Sequence, residues 1–156
     1  MMQGVGFVLL AGGQSRRMGG GDKNQLALGG KTLMQHVLDR VERAGAPTAI
    51  NANGDPARYA GYGLPVIGDI IGGYAGPLAG ILTGLEWLAA QHPHITHMVS
   101  LATDAPFLPV DLAPRLYHRL GPYASIVQAQ SNGQRHPVFA IWPVALAADL
   151  RRAVCD

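Results

Sequence analysis

A chain of 156 residues with 48% hydrophobic and 14% charged side chains suits one globular core and excludes a disordered polymer. Its 21 glycines and 11 prolines exclude a helical bundle and imply many loops, with backbone brought close to something. A net charge of +2 is too slight to argue for nucleic acid, and the single cysteine, Cys155, leaves neither an internal disulfide nor a cysteine metal site.

In chain order, the unbroken apolar run Val5 to Leu10 reads as a strand buried on both faces, ending at glycines. After the glycine-rich stretch, Thr32 can cap a helix with Leu33, Val37, Val41 and Ala44 on one face, ended by Gly45 and Pro47. Thr48 to Asn53 reads as a second strand and Pro65-Val66-Ile67 as a short third. Pro77 suits the first turn of a helix whose buried stripe is Leu78, Ile81, Leu82, Leu85 and Leu88. His97 to Leu101 is the next strand, followed by a helix from about Val110 to Leu120. Ala124 to Gln130 and Pro137 to Trp142 are expected as strands flanking the turn Asn132-Gly133, and the chain ends in a helix.

This alternation of strand and helix predicts an α/β fold, a three-layer sandwich with a mostly parallel central sheet, formed by residues 1–156 as one domain. The uncharged segment between Asp69 and Glu86 is too short and too broken by glycine to span a bilayer. Without the basic, apolar and cleavage regions of a signal peptide, a cytoplasmic protein is expected, with no membrane and no nucleic acid as partner.

Ligands on such sheets sit beyond the carboxyl ends of the strands. That rule brings together the loop after Leu10, Asn51 and Asn53, Asp69, and Asp104. The loop Leu10 to Lys23 has the means to hold a triphosphate. Its glycines expose backbone N–H groups, and Arg16, Arg17 and Lys23 supply charge. It matches neither common phosphate-loop template. A Rossmann fingerprint opening at Gly12 needs glycine where Gln14 stands, and a Walker motif ending at Gly30-Lys31-Thr32 needs glycine where Gln25 stands.

The full string Leu10-Ala11-Gly12-Gly13-Gln14-Ser15-Arg16-Arg17-Met18-Gly19-Gly20-Gly21-Asp22-Lys23 resembles the signature of the molybdenum cofactor guanylyltransferases. Further blocks follow in that family's order: Gln35-His36-Val37, Asn51-Ala52-Asn53, Val66-Ile67-Gly68-Asp69, Gly76-Pro77-Leu78-Ala79-Gly80, Thr103-Asp104-Ala105-Pro106-Phe107 and Arg135-His136-Pro137. The resemblance implies a Rossmann-like nucleotidyltransferase fold and transfer of GMP from GTP to the terminal phosphate of molybdopterin or molybdenum cofactor, with release of pyrophosphate.

By the same resemblance, Asp104 is the Mg2+ ligand, and Lys23, Asp104 and Arg17 carry the catalysis; either Arg16 or Arg17 can make the phosphate contact. Leu10, Ala11, Gly12, Gly13, Lys23, Asn51, Asp69, Gly76, Pro77 and Asp104 hold the nucleotide. From residue types alone, Asp104 is equally a turn or cap residue, and Asp69 can accept from guanine's edge or from ribose hydroxyls. His136-Pro137 faces the second substrate or simply turns into the next strand. The His92, His94 and His97 string includes Pro93 and bridges a helix end to a strand, which favours a solvated connection over a metal site.

Relatives that use CTP tend to read Leu-Ala-Ala-Gly in the loop, so Gly12-Gly13 and the Gly20-Gly21-Asp22-Lys23 ending favour the guanine branch over a cytidylyltransferase. Apo-molybdoenzymes or cofactor chaperones are the downstream partners the resemblance implies. Two departures stand out. Ala102 occupies a position where relatives often carry cysteine, and the chain stops at Asp156, short of an Asn-x-Asn-Thr-Pro-like segment in the family. A nucleotide-binding module with little transferase activity is therefore the alternative of a different class.

Overall fold

The computed structural model describes residues 2–11, 25–41, 43–71, 76–122 and 125–155. Strand β1 is Val5–Leu10. A small hairpin follows, β2 (Ala27–Leu28) paired antiparallel with β3 (Lys31–Thr32), and leads into α1 (Leu33–Arg40). Next come β4 (Thr48–Asn51), a 3-10 segment Pro56–Tyr62, β5 (Val66–Ile67), α2 (Pro77–Gln91) and β6 (His97–Ala102). The chain closes with α3 (Leu112–His118), β7 (Val127–Ser131), β8 (Gln134–Pro143) and α4 (Ala147–Cys155).

Six strands form one sheet in the order β5-β4-β1-β6-β8-β7. β1 pairs parallel with β4 on one side, Leu10 opposite Asn51, and with β6 on the other, Leu10 opposite Ala102. β5 extends the parallel set beyond β4, and β8 joins β6 antiparallel. The order reverses about β1, because the chain goes first to β4 and β5 and then returns to β6. The crevice over the carboxyl ends of β1 and β6 is thus the topological switch point, where open α/β sheets bind ligands.

Alternation along β1 sends Phe7 and Leu9 to one face and Val8 to the other. The first face packs against Met34, Val37 and Leu38 of α1 and Ala113 and Leu116 of α3. The second packs against Ile81, Leu85 and Leu88 of α2, with Leu150 of α4 at its margin. The sandwich is three-layered, as the alternation of elements implies. Among the described residues, no helix is long and apolar enough to cross a membrane.

Glycine lets α2 lie very close to the sheet. A Cβ on Gly84 would sit 2.7 Å from Met98 Sδ and 3.0 Å from Val8 Cβ, and one on Gly6 2.7 Å from Leu88. These glycines serve helix–strand contact rather than loops. In the hairpin, Gly29 and Gly30 take φ of 62° and 87°, the left-handed pair that a two-residue turn requires. Gly30-Lys31-Thr32 imitates a phosphate loop because it is a turn glycine, a lysine bonded to Asp39 at 2.7 Å and a helix cap.

Several elements differ from the sequence expectation. α1 ends at Arg40 rather than near Gly45, and its buried stripe is Met34, Val37 and Leu38, continued by Val41. Leu33 is half-buried and Ala44 exposed, so Met34 and Leu38 take their places beside Val37 and Val41 on the buried face. α3 is shorter than expected, with Asp111 in its N-cap position. The Asn132-Gly133 turn is present, with φ of 50° and 77°, but β8 begins at Gln134, before Pro137. Pro137 falls where the β7 pairing jumps from His136 to Ala140, a bulge consistent with its missing N–H.

Candidate active site

The carboxyl end of β1 is tied on both sides. Ala11 N–H donates to Asn51 O at 2.8 Å, extending the β1–β4 ladder one residue past the strand, and Thr103 Oγ1 donates to Leu10 O at 3.3 Å. Leu10 and Ala11 therefore form a fixed lip over the switch point. The rest of the expected phosphate loop, including Gly12, Gly13, Arg16, Arg17 and Lys23, lies outside the described residues. Just past that loop, the Gln25 side chain accepts from Tyr62 Oη at 3.2 Å, and Tyr62 Oη in turn shares a 2.7 Å hydrogen bond with the Thr32 hydroxyl.

Asn51 and Asp69, placed at neighbouring strand ends by β4 and β5, meet directly. Asn51 Nδ2 donates to Asp69 Oδ1 at 2.9 Å and to Ile67 O at 3.2 Å. Asn51 is 4% exposed and its amide is well satisfied, so its side chain is rigid. Asn53 Nδ2 donates to the second carboxylate oxygen at 3.0 Å, and Asp69 N–H returns a bond to Asn53 Oδ1 at 2.8 Å. One residue later, Ile70 N–H donates to the buried Thr83 hydroxyl at 3.2 Å. Asp69 is half-buried, its two oxygens each carrying one amide donor.

Asp104 is exposed, two residues beyond the end of β6. It does not cap α3, since Asp111 holds that position. Its loop is pinned by Thr103 on one side and by the buried Leu108 on the other, whose carbonyl accepts from Arg40 Nε at 2.7 Å. A hard divalent cation needs only one or two carboxylates when phosphate oxygens and water complete its shell. Among the described residues no cluster of three or more metal-binding side chains occurs, and Asp104 is an exposed carboxylate at this strand end that could serve such a cation. The donor set fits magnesium in that form.

Gly76 precedes α2 with φ of 143°, a conformation that favours glycine, and Pro77 starts the first turn. They join the site through Gly80, where a Cβ would lie 2.4 Å from Asn51 Oδ1 and 2.8 Å from Leu10 Cδ2. Only a glycine lets α2 approach these two groups. His136 sits within β8 and shares a 2.7 Å hydrogen bond with Ser131 Oγ across the hairpin. His92 packs edge-on against Trp87 at 5.0 Å between ring centroids, and burial pushes the His97 imidazole below its usual range.

Asn51, Asp69, Leu10, Ala11 and Asp104, all expected from sequence, thus stand at adjacent strand ends around the switch point. Asn53, Thr83, Gly80 and Arg40 complete the support. Asn53 belongs to the Asn51-Ala52-Asn53 run at the end of β4, but spacing does not reveal its partner. Thr83 and Arg40 had no signal, because each acts on backbone remote in sequence. The Gln35-His36 block proves architectural, Gln35 donating to Asp39 at 2.8 Å and His36 Nε2 bonding Leu28 O at 2.5 Å.

The family model of the MobA-like NTP transferase domain matches residues 7–156. A molybdenum cofactor guanylyltransferase from Rhodopseudomonas palustris (strain BisB5) is 52% identical over 148 residues, covering 94% of this chain and 70% of that one. Among solved structures, molybdopterin-guanine dinucleotide biosynthesis protein A from Archaeoglobus fulgidus aligns with a TM-score of 0.71 at 23% identity, over 96% of this chain and 72% of that one. A Mycobacterium tuberculosis protein solved in complex with manganese aligns at 0.67 and 21% identity, over 95% and 75% of the two chains. Those two likenesses speak for the fold, a nucleotidyltransferase sheet. With its strand ends arranged in this way and half its residues shared with a curated relative, the chain belongs to the molybdenum cofactor guanylyltransferase family of MobA-like NTP transferases.

Proposed function

We propose that the chain transfers GMP from GTP to the terminal phosphate of molybdopterin or molybdenum cofactor, giving the guanine dinucleotide form and pyrophosphate. The observation that carries this reading is the Asn51–Asp69 pair, a fixed carboxylate presented beside the mouth of the glycine-rich loop at the switch point. A carboxylate there suits paired donors on a nucleoside, and the loop's glycines and cations suit its triphosphate. The relative's name supplies the guanine and molybdenum specificity.

The attacking phosphate oxygen is ionised at neutral pH, so the reaction needs no general base. Positioning and charge stabilisation remain as the sources of rate. In this reading Asn51 and Asp69 orient the nucleoside, Leu10, Ala11, Gly12 and Gly13 close over the phosphates, and Gly76-Pro77 bring α2 alongside. Lys23 and Arg17 hold the leaving pyrophosphate. Asp104 would hold Mg2+, which when bound neutralises charge on the reacting phosphates. GTP as substrate agrees with a cytoplasmic setting, where apo-molybdoenzymes or cofactor chaperones would take the product.

The test is direct. The protein is incubated with magnesium, GTP labelled at the α-phosphate, and molybdopterin, and label is sought in the pterin product. Appearance of label supports the transferase. Binding of GTP without transfer would replace it with a nucleotide-binding module.

A further inference from the structure

Asp69 lies two residues past β5, beyond the backbone pairing that ends at Ile67. A carboxylate in such a place turns about two side-chain bonds unless donors hold it. Asn51 alone would hold one oxygen and leave the plane of the group to swing. Asn53 removes that freedom. Its amide grips Asp69 twice, at Oδ2 from Nδ2 at 3.0 Å and at the backbone N–H through Oδ1 at 2.8 Å. Side chain and main chain of one residue are thereby locked to a single amide. The fit is close, since a Cβ on Gly68 would come within 3.3 Å of Asn53 Oδ1. Asn53 is anchored in turn, its carbonyl accepting from Arg58 Nη2 at 2.7 Å.

We infer that Asn53 is a positioning residue for nucleotide binding, setting the carboxylate plane of Asp69 so that its two oxygens offer one remaining acceptor site each as a matched pair. This rests on the nucleotide-site reading of Asp69 given above. The ligand chemistry is a pair of adjacent donors on a purine nucleoside, either N1–H with the exocyclic amine of guanine or the two ribose hydroxyls. Asn53 itself touches no substrate in this arrangement; its effect passes entirely through Asp69.

A double-mutant cycle read by GTP binding in the presence of magnesium tests this. N53A is expected to raise Kd and KM for GTP about tenfold with kcat within about twofold, the sign of lost uniform binding. In a D69A background the same change is expected to move Kd by less than about twofold. N53D keeps the size and the acceptor for Asp69 N–H but sets carboxylate against carboxylate; it should weaken GTP at least as much, and it carries the comparison if N53A loses its fold. Inosine triphosphate, which lacks the exocyclic amine, separates the two donor pairs. A wild-type preference for GTP that shrinks in N53A assigns the pair to guanine, whereas equal weakening of both nucleotides assigns it to ribose; either supports positioning. Wild-type affinity in N53A while D69A is weakened overturns the inference alone, as does an equal N53A effect in both backgrounds. Unchanged affinity in D69A overturns the reading of Asp69 on which the inference stands.

Discussion

Gly80 and Asp104 show how differently single residues act at this site. A methyl group on Gly80 would press against Asn51 Oδ1 at 2.4 Å and Leu10 Cδ2 at 2.8 Å. Overpacking of that kind costs about 1–3 kcal/mol, while alanine in a helix interior regains about 1 kcal/mol over glycine. The net is a loss of up to about 2 kcal/mol in stability, and because the group pressed is the Asn51 amide the change also reaches binding. Gly80→Ala should weaken GTP about tenfold, the worth of roughly one displaced hydrogen bond, as read by equilibrium titration. Gly84→Ala meets Met98 and Val8 instead, in the core, and should leave GTP affinity unchanged. Asp104 is exposed in the loop beyond β6. Asp104→Ala should lose on the order of 10²-fold or more in turnover, within the range for one transition-state electrostatic contact. Near-wild-type single-turnover rates in that variant would remove Asp104 from the mechanism.

At the scale of elements, Thr32 bears more than its position in a two-residue strand suggests. Its hydroxyl accepts from Gln35 N–H at 3.1 Å as the cap of α1 and bonds Tyr62 Oη, which reaches Gln25 at the edge of the glycine-rich loop. Thr32→Ala should cost about 1–2 kcal/mol and lower the melting temperature by roughly 2–8 °C, with Thr32→Ser restoring most of it. A midpoint unchanged in the alanine variant would show the cap to be idle. This cap was legible in the sequence, as were β1, the stripe of α2 and the Asn132-Gly133 turn, because each is written in local periodicity or turn chemistry. The 3-10 segment Pro56–Tyr62 was not, since its one fully buried side chain, Tyr59, gives no periodic signal. The early end of α1 was hidden for a related reason. Val41 stays buried while its backbone turns extended, so the apolar pattern runs on after the helix stops. The site was legible as a set of strand ends, because topology alone collects them. The bonds among Asn51, Asn53 and Asp69 were not, as they depend on the register that sets β4 beside β5.

For the molecule as a whole, the site is built from both directions of the sheet and from one helix face, so nucleotide binding and global stability must be linked. β1 is the hub: it carries the glycine-rich loop, pairs with the strands that bear Asn51 and Asp104, and receives α2 through Gly80 and Gly84. A nucleotide bound across these strand ends contacts elements that separate only when the sheet unfolds. Binding to the native state alone stabilises it by about 2.7 kcal/mol when the free ligand is at 100 times Kd. For a domain of this size each kcal/mol raises the melting temperature by roughly 2–4 °C, so saturating GTP with magnesium should raise it by roughly 5–10 °C. The same measurement tests base selection. Cytosine offers one exocyclic amine but no adjacent ring N–H, and so cannot fill both remaining acceptor sites of Asp69 if the base is what Asp69 reads. The triphosphate contacts are common to both nucleotides, and a difference between them isolates the base. CTP at the same concentration should raise the midpoint by less than half the GTP shift. An equal shift would assign Asp69 to the ribose hydroxyls, and a larger shift with CTP would move the chain to the cytidylyl side of its superfamily, with the fold and the strand-end site unchanged.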